Sequence, residues 1–117
     1  MLFKTSEDFF DYTNTVARVS DDGKSELVKK MQEGDESAKE ALTIAYLPVL
    51  ASFLKRYSNE PSLDFIYRGI AVLTDALSDF NFQSESRPFT DFLKLRIKKM
   101  RTQFIADCDN NYKGRSS

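Results

Sequence analysis

Between positions 94 and 101 lie Lys94, Arg96, Lys98, Lys99 and Arg101, with Phe89, Phe92 and Leu95 leading into them and among them. Cations at that density neutralise phosphates and release condensed counterions. Aromatic rings take up unstacked bases at about 1–3 kcal/mol each. The chemistry on offer is contact with a nucleic-acid strand. The ordinary reading of the same residues stands beside it: Phe89 as core, Phe92 at the core's edge, Leu95 as a lone exposed apolar side chain, and the charges as a solvated surface.

No catalytic constellation competes with that stretch. The chain has no histidine to act as a general base, and its one cysteine, Cys108, has neither a catalytic partner nor a disulfide mate. The common zinc-ligand sets are therefore missing, as are Gly-x-Gly and phosphate-loop patterns. The carboxylates read as helix-surface acids. The expectation is a binding protein, not an enzyme, with no metal and no cofactor.

The elements that hold the cations follow from apolar spacing. Leu93, Ile97, Met100 and Phe104 recur at four, three and four residues, which is one stripe of a helix. Lys94, Lys98 and Arg101 flank the stripe on one side, Arg96 and Lys99 on the other. A preceding helix carries Ile66, Ile70, Leu73, Leu77 and Phe80 at four, three, four and three. These two helices, joined by the polar loop Asn81–Arg87, are the pair against which the rest should pack.

Upstream, Thr5 or Ser6 can cap a first helix with Glu7 and Asp8 in its first turn, and the Asp21-Asp22-Gly23 turn signal should end it near Ser20. Ser25 can cap a short second helix that Gly34 stops. Asp35 caps a third, along which Ala38, Leu42, Ala45 and Tyr46 face inward. Pro48 costs a helix interior about 3 kcal/mol, so a kink or restart is expected at Leu47-Pro48. The pattern resumes through Val49, Leu50, Phe53, Leu54 and Tyr57. Ser62 caps the fourth helix, and Pro88 fits the first turn of the fifth, which should end near Asp107.

The expected fold class is all-α, a compact bundle of about five helices in a single domain spanning 1–117, with a loose tail over 108–117. The expected core is Val28, Leu42, Leu50, Phe53, Leu54, Ile66, Ile70, Leu73, Leu77, Phe80, Leu93, Ile97 and Met100. Composition agrees: 117 residues, 41% apolar, ten phenylalanines and five tyrosines, but three prolines and four glycines. A net charge of −1 gives no overall attraction to nucleic acid. Its distribution is uneven. Glu7, Asp8, Asp11, Asp21, Asp22 and Glu26 make the start acidic, whereas Asp91 is the one acid between Arg87 and Arg101. No apolar run approaches the roughly 20 residues that span a bilayer, and the start has no signal-peptide layout. A cytoplasmic protein without membrane contact is expected.

Several segments resemble the second region of bacterial sigma factors. Glu33-Gly34-Asp35-Glu36-Ser37-Ala38, Tyr46-Leu47-Pro48-Val49-Leu50 and Arg56-Tyr57 are similar to that family's GD-x-x-A turn and the helix running to Y-L-P-L-V. Leu63-Asp64-Phe65-Ile66-Tyr67-Arg68-Gly69, Ala76 and Phe80 resemble its DL-I-Q-E-G … A … F-D helix. Pro88-Phe89-Thr90-Asp91-Phe92 and Arg96-Ile97 resemble its F-S-T-Y-A … I-R segment. The likeness covers about Ser25 to Ile105, in the family's order.

The resemblance implies two partners. One is the RNA polymerase core, docked through the clamp coiled coil of its largest subunit onto Asp64, Phe65, Tyr67 and Arg68. The other is the non-template strand of the promoter minus-ten element, held by Phe89, Phe92, Lys94, Arg96, Lys98, Lys99 and Arg101. This sequence departs from the family where Tyr67 and Arg68 replace a glutamine and a glutamate. It departs again where Leu95 and Arg96 replace the aromatic pair that opens the duplex, and it has no tryptophan. No segment here resembles the family's upstream-element-reading domain, so the chain is expected to be a fragment, half of a split factor whose partner protein carries that domain, or a divergent regulator. The alternative is a helical protein-interaction module on the same scaffold that does not touch DNA.

Overall fold

Each of the first four helices begins where a short polar side chain fills backbone N–H groups that have no partner within the helix. The computed structural model describes residues 3–58, 60–82, 84 and 87–116, with 109–116 as backbone alone. Thr5 Oγ1 accepts from the Asp8 amide at 3.1 Å and opens α1, Ser6–Thr15. Ser20 Oγ accepts from the Gly23 amide at 3.1 Å and opens α2, Asp21–Gln32. Asp35 Oδ1 accepts from the amides of Ser37 and Ala38 at 2.9 and 3.2 Å and opens α3, Glu36–Tyr57. Ser62 Oγ accepts from the Phe65 amide at 3.2 Å and opens α4, Leu63–Asp79. The carbonyl of Pro88 takes the amides of Asp91 and Phe92 at the start of α5, Phe89–Ser116. The fold is all-α, with no strand among the described residues.

Four boundaries differ from the sequence reading. Helix α1 ends at Thr15, and Asp21-Asp22-Gly23 is the first turn of α2, not a turn between helices. Two acids at the positive end of a helix favour that start, and the Ser20 cap makes Ser25 unnecessary as one. Pro48 does not restart α3, which runs as one helix from Glu36 to Tyr57. Its cost of about 3 kcal/mol is outweighed by the full burial of Leu47, Leu50 and Leu54, each worth about 1.5–3 kcal/mol. Helix α5 runs past Asp107, so the backbone over 108–116 is helical where a loose tail was expected. No proline or glycine interrupts it before Gly114. Gly34, at φ 96°, does end α2 as expected.

Helix α3 is the hub and touches all four others; α4 lies between α3 and α5. Leu42, Leu47, Leu50 and Leu54 of α3, Ile66, Leu73 and Leu77 of α4, Leu93 and Ile97 of α5, and Phe9 of α1 are fully buried together. Helices α3 and α4 approach closely at Gly69, where an added Cβ would sit 3.2 Å from Leu54 Cδ2 and 3.3 Å from Leu50 Cδ1.

Nine of the expected core positions are buried; Val28, Phe53, Ile70 and Met100 are half-buried at its margin. Ile70 sits on the flank of α4, where it lines an open crevice with Thr43 and Thr74. Val28 belongs to α2, which buries no residue completely.

Leu73→Ala should cost about 2–5 kcal/mol in a urea melt and Ile70→Ala clearly less, because only Leu73 leaves a closed cavity. Gly69→Val should cost about 1–3 kcal/mol in the same assay by forcing α3 and α4 apart.

Candidate nucleic-acid and partner interface

The stripe of α5 turns Leu93 and Ile97 fully inward, with Met100 and Phe104 half-buried beyond them. Helical geometry then sends the intervening residues outward. Lys94, Lys98 and Lys99 are exposed, with Leu95 at 50% exposure among them. Asp91 is the acid that shares this face.

The two arginines of this stretch behave differently from the lysines. Arg96 is ion-paired with Asp79 and lies over the Phe92 ring, 5.1 Å from its centroid. Arg101 lies over Tyr57 at 4.9 Å. Guanidinium is flat and weakly hydrated, so it settles on rings, whereas the compact ammonium of lysine keeps its water. The five cations expected to contact a strand thus divide: three lysines face solvent, and two arginines hold α5 to its neighbours.

Phe89 is only 6% exposed and is not presented to a strand. It sits in an aromatic cluster with Tyr46 at 4.8 Å, Phe80 at 5.3 Å and Phe82 at 5.5 Å, which closes the loop between α4 and α5. Burial, and then the Asp21 carboxylate, push the Tyr46 hydroxyl up from its usual range. Phe92 is half-buried, 5.1 Å from Phe80 and beneath the Arg96 guanidinium. It is the ring of the expected pair that a ligand could reach.

The α4 face divides in the same way. Asp64 is exposed in the first turn. Phe65, 5% exposed, points into the core against Phe104 at 5.2 Å and does not belong to a docking surface. The Tyr67 hydroxyl accepts from the Phe3 amide at 2.7 Å and donates to the Phe3 carbonyl at 3.0 Å. Arg68 pairs with Asp107 at 3.0 Å and lies over Phe104 at 4.9 Å. Gln103 Nε2 also donates to Asp107, at 2.9 Å. The Gln103 bond first, then the Arg68 bond, hold the Asp107 carboxyl below the usual carboxylate range.

Sequence reasoning missed Phe3 and Asp107 as partners of Tyr67 and Arg68. Both pairings join the centre of the chain to its ends, and no local pattern marks such a contact.

A cavity of about 320 Å³ opens between the end of α3, the start of α4 and the second half of α5. Tyr57, Pro61, Phe65, Phe104 and Ile105 wall it, with Arg101 as its cation. Among the described residues no group of three His, Cys, Asp or Glu side chains could hold a metal, and no helix is long and apolar enough to cross a membrane. No protein-family model matches this chain.

The depressed Asp107 titration has a definite sign. Its contribution to stability is present above the ordinary carboxylate range and is lost as pH falls through the lowered midpoint. A carboxyl-carbon NMR titration should place that midpoint below the ordinary aspartate value. Gln103→Leu and Arg68→Met should each raise it; a midpoint unmoved by both changes would remove the account of these contacts.

Proposed function

We propose that this protein is a transcription initiation factor domain of the kind found in region two of bacterial sigma factors, acting in the cytoplasm. The observation that carries the reading is the outer face of α5. Lys94, Lys98 and Lys99 stand in solvent there, on a helix whose opposite stripe, Leu93 and Ile97, is fully buried. A phosphate backbone laid along that face meets three ammonium groups on a rigid support. Phe92 and Leu95 are the apolar groups beside them that can meet a base.

This differs from the expectation in its parts. Phe89 serves the core, and Arg96 and Arg101 act as anchors, so the strand contacts fall to Lys94, Lys98, Lys99, Phe92 and Leu95. With no tryptophan and Phe89 buried, stacking falls to Phe92 of the two rings expected there. RNA polymerase docks on the α4 face at Asp64, Tyr67 and Arg68. Recognition of the upstream promoter element falls outside these five helices.

A second reading is a protein-interaction module without DNA contact. It is favoured by Arg68, which reverses the charge of the family's glutamate and so disfavours the usual polymerase surface. Exposed Leu95 and Ile105, at 50% and 44%, would then be part of a protein contact.

Binding to a forked promoter DNA, followed against salt, separates the readings. Lys98→Ala with Lys99→Ala should weaken binding and lower the slope of log K against log salt by about 0.7 for each single-strand phosphate no longer neutralised. An unchanged slope and affinity would remove the DNA contact and leave the interaction module.

A further inference from the structure

We propose that the segment around Phe3 is a strap over the α4 docking face, which polymerase must lift in order to bind. The proposal rests on the polymerase reading above and adds regulation to that same site.

The strap is tied at one point. The Tyr67 hydroxyl pairs with both main-chain polar groups of Phe3, at 2.7 and 3.0 Å, much as an adjacent strand would. The Phe3 ring fixes the position by resting on Phe9 at 5.2 Å, Tyr12 at 5.7 Å and Tyr67 at 6.5 Å. Tyr67 therefore cannot donate its hydroxyl proton to a partner while Phe3 is in place, because one phenolic oxygen has a single proton to donate.

The tie is also weak enough to open. Phe3 is half-buried, and Lys4 and Thr5 behind it are exposed. The first fully buried side chain is Phe9, already inside α1. Phe3 and Lys4 can swing away while α1 stays capped by Thr5 and seated through Phe9 and Thr13, so opening gives up the Phe3 ring contacts at the edge of the core and leaves the helices in place. Two hydrogen bonds and a few ring contacts, set against the freedom the segment regains, hold the open form at roughly a few per cent to a few tens of per cent. Apparent affinity for polymerase is reduced by that fraction.

The test compares the full chain with Phe3→Ala for binding to bacterial core RNA polymerase, alongside hydrogen exchange of the N-terminal segment. Phe3→Ala keeps the two main-chain hydrogen bonds and loses the ring contacts, so it should bind a few-fold tighter and melt slightly lower. Polymerase should also speed exchange over the first residues of the wild-type chain. A chain lacking residues 1–4 keeps the Thr5 cap and gives the same reading should Phe3→Ala lose its helices by circular dichroism. Equal or weaker binding, with both proteins engaging polymerase, would overturn the strap and leave the docking reading intact. No binding by either, with the strap shown open by exchange, would overturn both.

Discussion

Leu93 and Ile97 must be dry, and the arrangement of α5 follows from that. Burying one stripe of a helix fixes its rotation about its own axis, so every other side chain has its direction set as well. The stripe packs on α4 and α3, which are themselves drawn close at Gly69, where a glycine leaves room for Leu50 and Leu54. The lysines of α5 reach solvent because the core has claimed the other side of the helix. A surface with three cations is thus a consequence of packing before it is a feature of binding.

Side-chain chemistry then refines what rotation begins. Arg68, Arg96 and Arg101 each lie over an aromatic ring, and the first two also meet a carboxylate. These exposed or half-exposed ion pairs contribute little to stability individually. Their effect is positional: Arg96 fixes Phe92 beside Asp79, and Arg68 ties α4 to the second half of α5. Lys24 and Lys55 also lie over rings, Tyr46 and Phe10, so the sorting of arginine from lysine is a property of α5 and not of the whole surface.

The phenylalanines show how one residue type serves two ends. Phe65 and Phe89 lie within segments that resemble functional motifs, yet both are committed to the core. Phe3 lies outside every motif and pairs through its main chain with the hydroxyl of Tyr67. Of the groups expected to meet a partner, Leu95 and the lysines are exposed and Phe92 is half-buried.

Much of the fold was legible in the chain. The helix starts at Ser6, Glu36 and Leu63 could be read because their caps are local chemistry, a short polar side chain reaching two or three residues ahead. The α4 and α5 stripes were legible because a helical period repeats. Spacing also identified both shoulders of α5. The start of α2 was not legible, because Asp21-Asp22-Gly23 suits a turn and a first helical turn equally until the Ser20 cap forms. Pro48 was overruled by leucines that the helices packed on α3 bury. Above all, the sequence could say which cations and rings share a helix, but not which of them are occupied. That was decided by contacts between residues far apart in the chain, Tyr67 with Phe3 and Arg68 with Asp107, because only the packed helices bring those groups within hydrogen-bonding distance.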